Sequence, residues 1–308
     1  MKVALFGGTG FVGSYIIDNL ILEGHEPIVL VREGSESKVV QSERCKIIQG
    51  SINNSNAVNS TLKNADAVIY NIGLIREFPR EGITWKNLHF ESAKFCMDLS
   101  AAKNIKRFIL MSANGTKPTG PGYQKYKWMA EQYLKNTDLD WTIFRPSLLF
   151  GNPRGDSRPE FCSQLKRDMI SLPIPAPLFH EGLLPLKAGD FSMSPIHVSN
   201  VASIFSRALT MKKTHRKTYY LGGNKDIIWK DIITIIATSY GKKKWTIPAP
   251  AIAIKVLAFL FDSFSWFPVT KDQLSMLMEG NTCATDKIFI DDDHKLIDFE
   301  PNQLAYLK

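Results

Sequence analysis

Three polar side chains, Ser112, Tyr123 and Lys127, could act together in moving one proton. Tyr123 and Lys127 stand four residues apart, so on a helix both emerge from one face. A free phenol is a poor acid–base near neutrality, and an ammonium nearby favours its ionised form. A tyrosine so placed can protonate a carbonyl oxygen, or take a proton from a hydroxyl, while hydride moves. Ser112 ends an apolar run, Arg107 to Met111, and from a strand's carboxyl end its hydroxyl can reach the same oxygen. The spacing alone is not selective. Tyr240 and Lys244 repeat it, but no strand ending in serine precedes them.

A second constellation sits at the start of the chain. Residues 7–13 read GGTGFVG, directly after the apolar run from Val3. Gly7 allows a tight turn, Gly10 a close approach of backbone to a pyrophosphate, and Gly13 close packing of the following helix on the strand. That helix, expected over 11–23, points its N-terminal N–H groups and positive dipole end at an anion. The next strand, expected over 28–32, ends in Arg32. An arginine there suits the 2′-phosphate of NADP, whereas an acidic residue would hold the ribose 2′-hydroxyl of NAD. Lys38 adds positive charge nearby. Glu33 follows immediately and should point elsewhere. NADP(H) is therefore expected in preference to NAD(H).

The elements that must position these residues alternate. Strands are expected over 3–6, 28–32, 46–49, 67–71, 107–111 and 141–144, and helices over 11–23, 57–63, 85–103 and 124–135. Apolar strands between helices predict an α/β, Rossmann-type, doubly wound parallel sheet covered on both faces. Residues 1–151 form this dinucleotide-binding domain. Residues 152–308 are expected to form a substrate loop and a smaller, mostly helical lobe, with 190–225 partly packing back on the sheet. The loop, 152–195, carries seven prolines, Pro153, Pro159, Pro173, Pro175, Pro177, Pro185 and Pro195. Long irregular segments of that kind usually serve binding. The lobe's helices are expected over 199–211, 229–240, 252–264 and 271–279, with short extended pieces such as 218–221 between them.

Composition narrows the function classes. Hydrophobic residues make up 44% of the chain's 308 residues, and the net charge is +8. Positive charge gathers at 212–217 and at Lys242, Lys243 and Lys244, without the interleaved aromatics or motif of a nucleic-acid binder. These clusters read as solvated loops and helix ends, with an anionic lipid surface as the alternative. The four cysteines have no redox or metal-ligand spacing, which predicts reduced thiols and no metal site. The first apolar run is too short for a signal peptide, and no presequence precedes it, so a cytoplasmic location is expected. The apolar stretch 247–267 is broken by Lys255 and Asp262. It is expected not to span a bilayer, but it can lie on a membrane or a partner. Trp266 and Phe267 read as lobe core or an interfacial anchor. His89 and His197 read as structural, and His180 with Glu181 as a weak candidate for substrate contact.

The segments GGTGFVG (7–13), AVIYNIG (67–73), RFILMSANG (107–115), YQKYK (123–127), WTIFRPSLLFG (141–151) and SPIHVSNVA (194–202) together resemble the atypical or extended short-chain dehydrogenase/reductases of the NAD-dependent epimerase/dehydratase superfamily. IREFP (75–79), LFHEGLLP (178–185) and WFPVTKDQL (266–274) are most similar to the branch containing the NADPH-binding accessory subunit of respiratory complex I and its bacterial relatives. The resemblance implies dinucleotide contacts at Gly7, Thr9, Gly10, Phe11, Val12, Gly13, Asn71 and Gly73. It implies nicotinamide contacts near Pro146 and Ser147, and Ser112, Tyr123 and Lys127 as the catalytic set, with Lys127 able to bond the nicotinamide ribose. Relatives often carry Asp after the third strand; Ser51 follows Gly50 here, so that carboxylate contact to adenine is missing. Two activities follow. One is an NADP(H)-dependent oxidoreductase or epimerase acting on a small apolar, quinone- or lipid-like substrate. The other is a non-catalytic NADPH-binding accessory or assembly protein of a membrane respiratory complex, or an NADP-sensing regulator, peripheral to the membrane.

Overall fold

The computed structural model describes residues 1–155, 158–182, 184–252 and 271–308. The chain divides into two compact units. The first comprises Met1–Pro146, Val198–Leu221 and Asp286–Lys295, and the second Ser147–His197, Gly222–Thr285 and Leu296–Lys308.

The first unit is built on a seven-stranded parallel sheet. Its strands are β1 (Lys2–Phe6), β2 (Glu26–Val31), β3 (Lys46–Gln49), β4 (Ala67–Tyr70), β5 (Arg107–Met111), β6 (Asp140–Pro146) and β7 (Lys217–Leu221), in the order β7-β6-β5-β4-β1-β2-β3. The side chains of Val3 through Phe6 are inaccessible to solvent, as both faces of a parallel sheet require. On one face Phe6, Tyr70, Phe108 and Leu110 pack with α2 (Ser55–Thr61), α3 (Ser92–Ala102) and α4 (Gly122–Lys135). The other carries α1 (Phe11–Leu22), where Ile17 and Leu5 crowd the backbone of Gly8, and α5 (Val198–Ala208), whose Phe205 packs 4.7 Å from Phe144.

Three details differ from the pattern read along the chain. The short extended piece at 218–221 is an edge strand of the central sheet, β7, paired with β6 from Lys217↔Thr142 to Leu221↔Pro146. It lies in the segment 190–225 expected to pack partly back on the sheet; its mixed burial hid only the strand pairing itself, because an edge strand shows neither a continuous apolar run nor clean alternation. The helix expected over 85–103 starts with wide, π-type turns at Lys86–Glu91 before the regular turns of α3. Asp286–Lys295, far along the chain, belongs to the first unit. Its Phe289 packs edge-on at 5.6 Å from Phe144 and 5.0 Å from Tyr219.

The second unit has its own core around Trp229, at the start of α6 (Trp229–Ser239). The indole stacks on Phe191 at 5.6 Å and on Phe179 at 6.2 Å, and its N–H donates to the Pro177 carbonyl at 3.0 Å. Three two-stranded pairings support it: Ala176–His180 with Thr246–Pro250, Leu149–Phe150 with Ile196–His197, and Ser192–Met193 with Ile227–Ile228. A further helix, α7, spans Lys271–Met278. The helix expected over 252–264 falls, beyond Ile252, outside the described residues, as do Trp266 and Phe267. Among the described residues no helix is long and apolar enough to cross a membrane.

Candidate functional site

The carboxyl ends of β1, β2, β4, β5 and β6 collect most of the residues singled out above, and ligands of open parallel sheets bind at such an edge. β1 leads through Gly7, whose φ of +97° favours glycine. A Cβ at Gly7 would lie 2.8 Å from the Asn71 backbone, and one at Gly13 would lie 2.1 Å from the Gly7 carbonyl oxygen. The loop is thus folded tightly enough that side chains are excluded at both positions. α1 starts at Gly10 with no side-chain cap and no acidic residue in its first turn. Its positive end therefore meets no carboxylate of its own. Phe11 and Val12 are buried at the helix start, and Thr9 is half-buried.

Asn71, one residue past β4, is buried and reaches the Gly7 carbonyl with its amide nitrogen at 3.5 Å, while its Oδ1 has no hydrogen-bond partner. A buried acceptor without a donor costs stability unless a ligand supplies one. Gly73 is exposed, and a side chain there would meet only open space. Arg32 directly follows β2, exposed and without a side-chain hydrogen bond or ion pair among the described residues; Glu33 is exposed beside it. The Gly-rich turn, uncapped helix and unengaged guanidinium suit the phosphates of a dinucleotide, and the orphaned Asn71 acceptor suits a donor such as a ribose hydroxyl or an amide.

Tyr123 and Lys127 lie one turn apart on α4. The Lys127 ammonium stands over the Tyr123 ring, 5.5 Å from its centroid, and Nζ donates to the Met111 carbonyl at the end of β5 at 3.0 Å. Burial holds Lys127 down to about 8, with Glu131 opposing. Burial also raises the Tyr123 phenol above its ordinary range, and no neighbouring charge offsets it. The contact that forms is ammonium to ring face, so the lowering of the phenol expected from Lys127 is not seen here.

Ser112 lies at the expected strand end but faces a group that the sequence did not flag. Its hydroxyl donates to Glu131, a fully buried carboxylate on α4. Glu131 also accepts from Thr116 at 3.1 Å and from the Arg145 guanidinium, at 2.8 Å through Nε and 2.5 Å through Nη2. Arg145 in turn bonds the Tyr220 hydroxyl of β7 at 2.9 Å. An Arg–carboxylate fork of this kind satisfies both charges without water. Thr116 and Glu131 lie outside the segments quoted above, and Arg145 lies inside WTIFRPSLLFG (141–151) but was given no role there. Their signal was only an acidic residue on the inward face of a predicted helix, which needs a cation somewhere in the fold.

His89 is also in the cleft, which Tyr70, Ile72, Ser112 and Lys127 help line. Its Nε2 accepts the Leu74 N–H at 3.0 Å, so the proton of the neutral ring sits on Nδ1, which is buried without a partner. Burial, then the Lys127 charge, keeps the ring neutral well below its ordinary range. Its edge packs on the Tyr123 ring, centroid to centroid 5.2 Å. Trp85 closes the same turn by donating from its indole to the Leu74 carbonyl at 2.9 Å. Pro146 ends β6, and its carbonyl accepts from the Asn114 N–H at 2.9 Å. Ser147 opens the second unit, where its hydroxyl donates to the Asn281 carbonyl at 2.5 Å. In that unit His180 is buried within the strand Ala176–His180, and His197 packs edge-on to Phe150 at 5.0 Å.

A family model described as NAD(P)H-binding matches residues 7–171. The chain is 22% identical over 276 residues to the mitochondrial NADH-ubiquinone oxidoreductase 40 kDa subunit of Neurospora crassa, covering 86% of this chain and 67% of that one. It is 21% identical over 277 residues to the photosystem II assembly factor Ycf39 of Trieres chinensis, covering 89% and 80%. Among solved structures, the Bordetella bronchiseptica enzyme WbmH in complex with NAD+ shares the fold with a TM-score of 0.71 at 15% identity, covering 99% of this chain and 96% of that one. The chain belongs to the NAD(P)H-binding family.

Proposed function

We propose that this protein holds NADP(H) at the Gly7–Gly13 loop and serves as a cofactor-bearing accessory or assembly protein of a membrane respiratory complex. The observation that carries this reading is the Ser112 hydroxyl. It has one proton to donate, and Glu131 receives it. A serine so engaged supports the fold and has no proton left for a substrate carbonyl. Curated relatives named as a respiratory-complex subunit and a photosystem assembly factor support the same role. In this reading Gly7, Thr9, Gly10, Phe11, Val12 and Gly13 hold the phosphates, and Asn71 offers its unpaired Oδ1 to a donor of the cofactor. Gly73 leaves room at the edge, and Arg32 takes the 2′-phosphate. Tyr123, Lys127 and Pro146 contact the nicotinamide half. When bound, NADP(H) brings a hydride donor or acceptor to that end.

The second reading is an oxidoreductase or epimerase on a small apolar, quinone- or lipid-like substrate, with Tyr123 as acid–base. It is favoured by Lys127, buried on the same helix face and held near 8, where it can lose its proton close to neutrality. Comparing the wild type with Tyr123→Phe separates the two. NADPH binding is measured first, then NADPH oxidation against a panel of quinones and aldehydes. The accessory role predicts binding in both proteins and no oxidation above the protein-free rate. Oxidation by the wild type that disappears in Tyr123→Phe would establish the enzyme instead.

A further inference from the structure

We propose that the second unit carries a docking face for an anionic phospholipid surface, formed by Lys242, Lys243, Lys244 and Trp245 together with Leu172 and Ile174. Two separate segments make it. The strand pair Ala176–His180 and Thr246–Pro250 runs parallel with Thr246 opposite Ala176, which brings the residues preceding each strand together. The Ala176 N–H donates to the Trp245 carbonyl at 2.7 Å, and the Lys244 ammonium donates to the Leu172 carbonyl at 2.6 Å. The two stretches are therefore one surface, tied by hydrogen bonds to backbone carbonyls.

That surface is unusual in both of its components. Trp245 is 81% exposed, Ile174 61% and Leu172 42%. An indole left in water next to two exposed aliphatic side chains is costly, because each could have been buried or replaced by a polar residue at no loss to the strand pair. Beside them stand three consecutive lysines, with no acidic residue in 171–178 or 241–252. Partial burial and then the charge of Lys242 hold the Lys244 ammonium below its ordinary range. A tryptophan with flanking aliphatics seats at the headgroup level of a bilayer, and the lysines meet the negative surface potential. A nucleic acid would use the charge but leave Leu172 and Ile174 in water. An acidic protein groove would leave an exposed indole of this size without a pocket of fixed shape.

The test is flotation of the full chain with protein-free vesicles, one set of phosphatidylcholine alone and one of phosphatidylcholine mixed with phosphatidylserine. The wild type should float with the mixed vesicles, stay behind with the neutral ones, and detach as salt is raised. Replacing the three lysines, K242Q/K243Q/K244Q, should lower the partition coefficient roughly a hundredfold, from the attraction of each lysine to an anionic surface. W245S should weaken binding to the mixed vesicles by a factor that stays the same as salt is raised, because the lost contact is apolar. Unchanged thermal midpoints and NADPH affinities in both variants certify their folding, and those affinities test the dinucleotide reading separately. A wild type that ignores the mixed vesicles, or a triple variant that floats as well as the wild type, overturns the proposal. So does binding to native membranes that protease treatment of those membranes abolishes, since the partner is then a protein.

Discussion

Glu131 joins more of the candidate site than any residue the motifs named. It is a carboxylate without solvent contact, and its charge is met by the Arg145 fork, the Ser112 hydroxyl and the Thr116 hydroxyl. Removing one partner of such a pair leaves a buried charge, which costs about 3–5 kcal/mol. Arg145→Met is therefore expected to destabilise the protein by that amount. Ser112→Ala removes a hydrogen bond to a charged group and should cost about 1.5–3 kcal/mol. Denaturant titration checks both, and the NADPH affinity of Ser112→Ala should match the wild type if the serine serves the fold. Lys127 offers a pH-dependent counterpart. Its folded value, about 8, lies below its ordinary 10.5. Below about pH 8 the ammonium is charged in folded and unfolded chains alike, and its full burial cost stands. Between about 8 and 10.5 the unfolded chain binds the extra proton, so stability rises with pH, by roughly 3 kcal/mol across the window. Unfolding measured from pH 7.5 to 9.5 should show this rise in the wild type, and Lys127→Met should flatten it.

The elements explain why some of this was legible along the chain and some was not. GGTGFVG was readable because a strand and a turn each leave a local mark, an apolar run and then glycines, with a helix-length segment directly after them. Gly13 carries the most stringent of those marks. A Cβ there would lie 2.1 Å from the Gly7 carbonyl oxygen, so Gly13→Ala must push α1 away from β1. The expected result is loss of NADPH binding with only partial loss of stability, checked by paired titration and thermal unfolding. Tyr123 and Lys127 were readable for the same local reason, being one turn apart on α4. The Ser112–Glu131–Arg145 node was not, because it joins β5, α4 and β6 through contacts that no spacing encodes. That 190–225 packs partly back on the sheet was legible, but the pairing of β7 was not, because its five residues, KTYYL, look like any half-exposed extended piece until β6 lies beside them. His89 was read as structural, and the sequence could not show that Leu74 fixes its tautomer and leaves Nδ1–H unpaired.

At the scale of the whole molecule, a parallel sheet gathers distant residues at one edge, and its helices and glycine loop make that edge electropositive. The first unit alone brings Gly7, Arg32, Asn71, Tyr123 and Lys127 from across more than a hundred residues to the carboxyl ends of neighbouring strands or the helix beside them. Such a site is selective only through what it meets at its rim, and in the proposed function Arg32 is assigned the adenine ribose end of that rim. The direct test is calorimetric titration of the full chain with NADPH and with NADH, for the wild type and Arg32→Asp. The account predicts that the wild type binds NADPH at least about tenfold more tightly than NADH, a single charge-assisted contact being worth roughly 1.5–3 kcal/mol. It also predicts that Arg32→Asp reverses the preference. Equal affinity for the two cofactors in the wild type, or a preference that Arg32→Asp leaves intact, would contradict it.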